Sequence, residues 1–474
     1  MSSDSLGRWL DRLEALHPRE IELGLDRVAA VAGALELLQP EQPVITIAGT
    51  NGKGSTVAVL EALLSECGRL VGAYTSPHFL RFNERIRVGG HEVPDADIVA
   101  AFEEIDRARG DTSLTYFEFA TLAALLVFRD RDCEVLLLEV GLGGRLDAVN
   151  IIDASVAVIT SIDLDHQDWL GEERGDIARE KAGILRPGRP VVIADPAPPQ
   201  ELVACAATVG AAPVLRLGKE FTVEETGEHW SGQLRHPGGA SRLLPSLRCG
   251  ALLPANVCAA LQAALLVGCD FSDAQLHRAA ARLAVPGRRQ IARFAGSECI
   301  LDVAHNPASV VKLHEYIDTT YCKGKKYAVF SAMADKDIPA MIRAAGGTFD
   351  AWFPADLPTI TRAERAERIA EMLRREGQAV NCVSGSVGEA LERARNAIVQ
   401  SRRDLGVLLD LGDGENLRVA GSLAEMDLES LDVNTPENRT ILAFTGFNSF
   451  QADSEEALSV ARETRSDILQ GELN

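Results

Sequence analysis

The feature that most constrains the fold is a glycine-rich segment between an apolar run and a helical pattern. Residues 44–48, Val-Ile-Thr-Ile-Ala, are typical of a buried strand, and residues 49–56 are Gly-Thr-Asn-Gly-Lys-Gly-Ser-Thr. Backbone N–H groups of such a loop can converge on phosphate oxygens, and the N-terminus of the next helix adds positive potential. Lys53 is placed to reach the terminal phosphates. The segment therefore predicts a phosphate-binding loop at the end of a strand.

The loop departs from the strict G-x-x-x-x-G-K-[ST] pattern in two respects. Residue 47 is Ile, and Gly54 follows the lysine, so the hydroxyl comes one residue later, at Ser55. The alternative interpretation is a glycine turn that only begins a helix, with Ser55 as its N-cap. Strand, glycines, lysine and hydroxyl nevertheless follow in the order that a bound phosphate requires, which favours the phosphate site.

Short apolar runs alternate with longer helical patterns along the chain. This alternation is typical of crossover units and of a mostly parallel sheet covered on both faces. The first series continues at 135–140, 156–162 and 190–194, and a second series comprises 299–304, 327–331 and 351–354, with a helix at 363–375. The pattern predicts an α/β fold: an N-terminal P-loop domain with a mostly parallel sheet, and a smaller C-terminal Rossmann-like α/β domain.

The length of 474 residues also predicts two domains, because single hydrophobic cores stop growing near roughly 250–300 residues. Pro286 and Gly287 interrupt the helical patterning between 285 and 293, which favours a boundary there. We predict a first domain at residues 1–288 and a second at 289–474. Acidic residues are enriched near the end of the chain, and about residues 424–474 are predicted to be a variable surface tail.

Charge and composition exclude several classes of protein. A net charge of −21 disfavours nucleic acid and anionic membranes as partners. The nine cysteines form no C-x-x-C pair and no zinc-like spacing, so we expect reduced core residues. Residues 1–18 are patterned as an amphipathic helix and not as a signal peptide, and the longest strongly apolar stretch, 120–128, is too short to span a membrane. A cytoplasmic protein is expected, and no heptad pattern argues against a monomer.

Three further segments carry candidate chemistry. Ser76 precedes a proline, whose restricted backbone suits presentation of a hydroxyl to a metal or phosphate, although the following arginines are equally compatible with a solvated loop. Glu139 ends an apolar strand before a glycine-rich loop, where the ligand crevice of a parallel sheet lies, and is placed to hold Mg²⁺. His166 follows another strand beside two aspartates; a lone histidine there is more often structural, but the neighbouring motif favours a function.

These motifs resemble, in order, those of the folylpolyglutamate synthase and dihydrofolate synthase branch of the Mur ligase family. The matching segments are Ala-Gly-Thr-Asn-Gly-Lys-Gly-Ser at 48–55, Thr-Ser-Pro-His at 75–78, Arg-Phe-Asn-Glu-Arg-Ile-Arg at 81–87, Glu-Val-Gly-Leu-Gly-Gly-Arg-Leu-Asp-Ala at 139–148, Asp-His at 165–166, Glu-Lys-Ala-Gly-Ile at 180–184, Pro-Gly-Arg at 286–288 and Leu-Asp-Val-Ala-His-Asn-Pro at 301–307. The resemblance implies ATP-dependent ligation of L-glutamate to the carboxylate of 7,8-dihydropteroate, and to the γ-carboxylate of reduced folates, through an acyl phosphate.

The resemblance also implies residue roles. ATP binding is implied for Thr50, Asn51, Gly52, Lys53, Gly54, Ser55, Asn256, Arg288 and Asp302. Metal binding by two Mg²⁺ ions is implied for Ser76, Glu139, His166 and Lys181, with Lys181 carrying a carbamate. The implied catalytic residues are Lys53, Lys181, His166 and His305. The implied pterin-binding residues are Glu22, Leu23, Gly24, Thr115, Tyr116, Phe117, Glu118, Leu146, Asp147 and Ala148. Since these residues fall in both predicted domains, domain closure is expected to precede chemistry.

Alternatives remain at this point. Two segments compete for the Gly-Ser-Phe-type turn of the family, 417–423 and 441–447, and the first is slightly favoured because it keeps Gly421 and Ser422. A ligase that only extends folates is one alternative function; a ligase for peptidoglycan precursors is a weaker one, because the phosphate loop begins too early for the extra N-terminal domain. A nucleotide-binding module without turnover is the non-enzymatic alternative.

Overall fold

The computed structural model describes residues 4–16, 22–78, 81–283, 285–294, 297–319, 322, 324–358, 360–409 and 441–445. The chain divides into two compact units, residues 1–285 and 286–474. The division falls at Pro286, next to the glycine that interrupts the helical pattern.

The first unit is built on an eight-stranded sheet. Its strands are β1 (Val44–Ala48), β2 (Val71–Tyr74), β3 (Ile86–Val88), β4 (His91–Glu92), β5 (Val135–Glu139), β6 (Val156–Ile159), β7 (Val191–Ile193) and β8 (Val214–Arg216). Their spatial order is β4-β3-β2-β5-β1-β6-β7-β8. Six neighbouring strands pair in parallel, in the order β2, β5, β1, β6, β7 and β8. The strands β3 and β4 are added antiparallel at the edge next to β2.

Helices cover both faces of this sheet. They are α1 (Asp4–Leu16), α2 (Asp26–Ala34), α3 (Lys53–Glu66), α4 (Asp95–Arg109), α5 (Tyr116–Asp130), α6 (Gln167–Leu170), α7 (Arg174–Lys181), α8 (Gln200–Val209), α9 (Pro254–Leu266) and α10 (Asp273–Ala281). Alternate residues of β1 enter different cores: Val44 and Ala48 face one cluster, whereas Ile45 and Ile47 face the cluster formed with α3 and α9. The strand is buried on both faces, and apart from Thr46 its residues are apolar, as its sequence indicates.

A second, four-stranded antiparallel sheet was not anticipated from the sequence. It contains β9 (Thr222–Thr226), β10 (His229–Arg235), β11 (Ser241–Leu243) and β12 (Leu247–Arg248), with β10 pairing to the other three. Its strands are mostly exposed and polar, so they lack the apolar runs that mark the parallel strands. Trp230 and Leu234 anchor the sheet in the α3–α9 core.

The second unit contains a five-stranded sheet between helices. Its strands are β13 (Gln290–Phe294), β14 (Ser297–Leu301), β15 (Lys326–Phe330), β16 (Ala351–Pro354) and β17 (Ile441–Thr445), and its helices are α11 (Pro307–Thr319), α12 (Ile338–Ala345), α13 (Ala366–Arg375) and α14 (Val387–Leu409). The order is β13-β14-β17-β15-β16, with all neighbours parallel except β13 and β14. The predicted α/β fold class is confirmed for both units.

The strand β17 corrects the description of the C-terminal segment. Its residues fall in the range predicted to be a variable acidic tail, yet they lie in the centre of the sheet, between β14 and β15. Ile441 to Thr445 are apolar enough to be buried as a parallel strand, a local signal that the charge of the surrounding segment masked. The competing segment at 417–423, and the turn after β17, lie outside the described residues.

One pair of cysteines corrects the expectation of reduced core residues. Cys67, after α3, and Cys269, after α9, form a disulfide with a Cα–Cα separation of 6.7 Å. The ends of two packed helices bring these residues together although 202 positions separate them in sequence, so no local spacing could indicate the pair. The other seven cysteines, all among the described residues, are not disulfide-bonded.

Helices long and apolar enough to cross a bilayer do not occur among the described residues.

Candidate active site

The glycine-rich loop forms the start of α3, as the phosphate-site prediction requires. Gly52 is the N-cap of α3 and has φ +91°, a left-handed backbone that favours glycine. The carbonyl of Gly52 accepts hydrogen bonds from Thr56 N and Thr56 Oγ1, both at 3.0 Å. Because Gly52 is the cap and Ser55 lies inside the first turn, the alternative of Ser55 as N-cap is wrong.

Lys53 folds back over the loop. Its Nζ donates to the carbonyl oxygens of Gly49, at 3.0 Å, and Thr50, at 3.3 Å. These carbonyl partners hold the ammonium at the mouth of the loop, where it can approach an anionic ligand.

The end of β6 holds the loop in place. Thr50 N donates to Ser161 O at 2.7 Å, and Thr50 Oγ1 makes 3.0 Å hydrogen bonds with both the carbonyl and the N–H of Asp163. Thr160 Oγ1 donates to Asn51 O at 2.7 Å. These contacts fix the loop at the carboxyl end of the parallel strands, where ligands of open α/β sheets bind.

Asn256 lies directly against the same loop. This residue is in the first turn of α9 and is 7% exposed. A Cβ atom placed on Gly52 would lie 2.4 Å from Asn256 Nδ2. The structure therefore brings together two parts of the implied nucleotide site that are 204 positions apart.

Glu139 and Ser76 meet beside the start of α3. Ser76 N donates to Glu139 Oε2 at 3.2 Å, and the peptide between Ser76 and Pro77 is cis. Both carboxylate oxygens of Glu139 lie within 3.7 Å of the position that a Cβ would take on Gly54. Glu139 is 4% exposed, and a carboxylate so buried requires strong compensation.

Oxygen donors of this kind fit Mg²⁺, which takes one or two protein carboxylates together with phosphate and water oxygens. Among the described residues no cluster of three or more His, Cys, Asp or Glu side chains could hold a metal by itself. The residues present therefore fit a cation that is shared between the protein and a phosphate ligand.

Lys181 is buried at the end of α7 and is 4% exposed. Burial, together with the nearby Lys53 ammonium, lowers its pKa to about 7, although the carboxylates of Asp165 and Asp147 oppose the shift. These interactions place Lys181 near the phosphate loop and near the glycine-rich segment after β5. A lysine in this environment is largely unprotonated just above neutral pH.

His166 lies beside the same group of charges. Its backbone is left-handed, with φ +51°, and it immediately precedes α6. Its backbone N–H donates to Asp165 Oδ1 at 2.9 Å, and its Nε2 is 4.0 Å from that oxygen. His166 and Asp165 thus present an imidazole and a carboxylate near Lys181.

The segments implied in pterin binding converge through an arginine. Thr115 caps α5, with Thr115 N donating to Glu118 Oε2 at 2.7 Å and Glu118 N donating to Thr115 Oγ1 at 3.2 Å. Arg27 pairs with Glu22 and donates to Glu118 Oε1 at 3.2 Å. Arg27 therefore links two segments that the sequence analysis assigned to one site. The analysis missed Arg27 itself, and no motif singles it out.

Asp147 is the buried carboxylate of the post-β5 loop. Its two oxygens accept from Leu142 N at 2.9 Å and Val149 N at 3.1 Å. Burial raises its pKa to about 6, against the effect of these N–H groups and of Lys53. Leu146 and Ala148 flank it, and the ring of Phe117 lies 5.9 Å from that of Tyr74, so apolar and aromatic groups surround the polar ones.

The second unit contains the remaining implied residues. Asp302 follows β14, and its carboxylate accepts from Arg289 N and Ala304 N, both at 2.8 Å. Burial raises the pKa of Asp302, and Arg288 opposes that shift. His305 Nδ1 bonds to Val303 O at 2.8 Å, which orients the ring. Within this unit Arg288, Asp302 and His305 thus belong to connected loops.

Two family models match the chain. They are the Mur ligase middle domain, over residues 47–220, and the Mur ligase glutamate ligase domain, over residues 287–409. Together with the phosphate loop and the buried lysine and carboxylates, they define an ATP-dependent ligase that forms amide bonds.

Relatives of similar length identify the family within this class of ligases. The dihydrofolate synthase/folylpolyglutamate synthase of Escherichia coli is 42% identical over 373 residues, which are 78% of this chain and 86% of the relative. The enzyme of the same name from Haemophilus influenzae is 38% identical over 390 residues, 79% of this chain and 87% of the relative. The chain belongs to the dihydrofolate synthase/folylpolyglutamate synthase family.

Solved structures agree with this assignment. The structure of E. coli FolC with DHPP and ADP has a TM-score of 0.79 and 35% identity, covering 96% of this chain and 98% of that one. A bifunctional folylpolyglutamate synthase/dihydrofolate synthase with Mn, AMPPNP and L-glutamate bound has a TM-score of 0.78 at the same identity and coverage. The resemblance found in the sequence motifs is confirmed.

Proposed function

We propose that this chain joins L-glutamate to 7,8-dihydropteroate, and to the γ-carboxylate of reduced folates, with cleavage of ATP. The observation that carries this proposal is the grouping of Lys53, Lys181 and two buried carboxylates beside a phosphate-type loop. The Lys53 ammonium, with a divalent cation held by the carboxylates, would neutralise phosphates, while the neighbouring Thr115–Glu118 segment offers aromatic and polar contacts for a pterin. The relatives named above carry both activities in their names.

The reaction needs an activated acid because a carboxylate is anionic and has a poor leaving group. A carboxylate oxygen of the acceptor attacks the γ-phosphorus of ATP, ADP leaves, and an acyl phosphate forms. The glutamate amine then attacks the carbonyl carbon, the bond from carbon to the phosphate oxygen breaks, and the amine loses a proton. Phosphoryl transfer of this type depends mainly on positioning and charge neutralisation.

The chain's own residues supply that positioning. The loop from Thr50 to Ser55 holds the phosphates, with Lys53 at their terminal oxygens. Asn256, Arg288 and Asp302 are the proposed contacts of the nucleoside part. His305 orients the γ-phosphate or the incoming glutamate.

Two Mg²⁺ ions are part of the proposal and would supply charge neutralisation at the phosphates. Ser76 and Glu139 are the proposed ligands of one. His166 and a carbamate on Lys181 are the proposed ligands of the other. The lowered pKa of Lys181 supports the carbamate, because only the neutral amine adds CO₂. The carbamate converts a buried cation into an anionic oxygen ligand.

The pterin site is proposed to lie along the segments joined by Arg27. It comprises Glu22, Leu23, Gly24, Thr115, Tyr116, Phe117, Glu118, Leu146, Asp147 and Ala148. Small molecules are the only partners that the proposal requires, and we infer that a monomer carries every group needed.

Substitution Asp147→Asn is expected to raise the KM for dihydropteroate about tenfold or more, because the loop after β5 then loses a hydrogen bond from a backbone N–H to a charged group, which costs about 1.5–3 kcal/mol. The carboxylate of Asp147 accepts from Leu142 N and Val149 N with its two oxygens, whereas an amide has one acceptor oxygen. Native Asp147 is protonated below about pH 6, so the native KM is expected to rise as the pH falls from 7 to 5. The variant should lack that rise.

Asp153→Asn is the matched control, since Asp153 lies six residues away with a side chain 81% exposed. Its KM for dihydropteroate should equal the native value at each pH. A pH-independent native KM, or equal effects of both substitutions, contradicts the assignment of Asp147.

The reaction itself is tested by ADP release with purified protein, ATP, Mg²⁺ and L-glutamate. We expect release that depends on glutamate and occurs with dihydropteroate and with tetrahydrofolate, and none without an acceptor. Release with tetrahydrofolate alone supports the folate-extending alternative. Nucleotide binding without any acceptor-dependent release supports a module without turnover.

A further inference from the structure

Arg87 makes a largely buried ion pair that the proposed reaction does not yet explain. It lies on β3, and its guanidinium meets the carboxylate of Glu61 on α3: Nη2 donates to Oε2 at 2.8 Å and Nε to the same oxygen at 3.0 Å. The side chains are 20% and 9% exposed. Removing two charges this far from water costs free energy, which is offset only when the pair is well aligned and its other donors and acceptors are hydrogen-bonded.

The remaining guanidinium nitrogen bonds to the loop that carries Ser76. Arg87 Nη1 donates to Thr75 Oγ1 at 3.0 Å and to Glu84 O at 2.8 Å. Thr75 immediately precedes Ser76, whose N–H donates to Glu139. All three guanidinium nitrogens are thus bonded, one side to α3 and the other to the Ser76 loop.

Glu61 places this contact on the phosphate-binding helix itself. It lies two turns after Lys53 on the same α3, so a rigid helix joins it to the phosphate loop. On the other side, the bonded Thr75 is the immediate neighbour in sequence of the proposed metal ligand Ser76. Arg87 is therefore a short rigid connection between the element that holds phosphate and the loop that presents a metal ligand.

We propose that Arg87 is a positioning residue that sets Ser76 relative to α3, so that Ser76 and Glu139 hold the divalent cation at the phosphates. This inference rests on the metal site of the proposed function. The role requires the planar, forked guanidinium, because one group must bond a carboxylate and a hydroxyl in different directions. Lysine keeps the charge but offers a single nitrogen.

The test measures Mn²⁺ binding in the presence of ADP by electron paramagnetic resonance, together with the Mg²⁺ dependence of ADP release. For Arg87→Met we expect the Kd for Mn²⁺ and the half-saturating Mg²⁺ concentration to rise at least tenfold, with the KM for dihydropteroate within twofold of native. Arg87→Lys should give an intermediate shift. Glu61→Gln, which keeps the shape of the partner, should shift both quantities in the same direction.

Arg278→Met is the control, because Arg278 pairs at 2.7 Å with Glu66 at the opposite end of the same helix. It should lower the thermal midpoint without changing Mn²⁺ affinity. Native Mn²⁺ affinity in Arg87→Met, or an equal loss in Arg278→Met, overturns the positioning role. Glu139→Gln distinguishes failure of the proposed metal site from failure of the role of Arg87. Native Mn²⁺ affinity in Glu139→Gln overturns the metal site of the proposed function. Weakened Mn²⁺ binding in Glu139→Gln, with native binding in Arg87→Met, overturns only the role of Arg87.

Discussion

Substitution Lys181→Ala is expected to lower the turnover of ADP release by about 10²- to 10³-fold, the loss typical of removing one preorganised electrostatic group from an active site. Lys181 is buried beside Lys53, Asp147 and Asp165, so its charge state determines the net charge of this group of side chains. A carbamate on Lys181 would present two further oxygens, which share one negative charge, to the proposed cation. Alanine removes the ligand and leaves the space that it filled empty.

The identity of the missing group is tested by rescue. Formate or acetate added to Lys181→Ala is expected to restore part of the turnover, because a short carboxylate can occupy the vacated space. Lys181→Arg should show neither activity nor rescue, since a guanidinium remains cationic and cannot add CO₂. Lys219→Ala, at an exposed position, should behave as the native protein.

Carbamate formation has its own pH dependence. The pKa of Lys181 is lowered to about 7, so the neutral amine predominates above that pH and the ammonium below it. With ¹³C-bicarbonate, a carbamate signal is therefore expected to grow between pH 6 and pH 8 and to be absent from Lys181→Ala. Unchanged turnover in Lys181→Ala, or a carbamate signal that survives the substitution, contradicts the assignment.

Local sequence signals predicted the strand, the glycine-rich loop and the helix of the proposed phosphate site, for a physical reason. A buried strand, a left-handed glycine and a helix start each depend on residues close in sequence. The strand Val44–Ala48 has the same bounds in the sequence analysis and in the structure, and the helix begins at Lys53, inside the glycine-rich segment. The strand Ala351–Pro354 was predicted equally well, because both of its faces are covered and its sequence is therefore a continuous apolar run.

Contacts between distant segments had no such signal. Arg27 joins Glu22 to Glu118, and Arg87 joins Glu61 to Thr75, across separations that only the folded sheet closes. Three arginines between 81 and 87 were noticed, but their spacing does not say which one turns inward. The assignment of Asn256 came from family resemblance, and its contact with Gly52 supplies the physical basis that the sequence lacked.

Gly52→Ala is expected to raise the Kd for ADP and to lower turnover, each by about 100-fold or more, since displacement of catalytic groups by about 1 Å can cost that much. Two effects combine at this position. A β-carbon at φ +91° costs about 1–2 kcal/mol in backbone strain. The same atom would lie 2.4 to 2.9 Å from three side-chain atoms of the buried Asn256, so the loop must move away from α9 and take Lys53 with it.

Gly68→Ala separates these two effects on one helix. Gly68 follows α3, has φ +78°, and has no atom within 4 Å of an added β-carbon. It carries the strain without the clash, so its thermal midpoint should fall while its Kd for ADP, measured by calorimetry, stays native. If Gly52→Ala binds ADP as tightly as Gly68→Ala, the close approach of Asn256 does not shape the nucleotide loop. If only Gly52→Ala loses binding, the loss comes from the clash with Asn256, because both variants share the backbone strain.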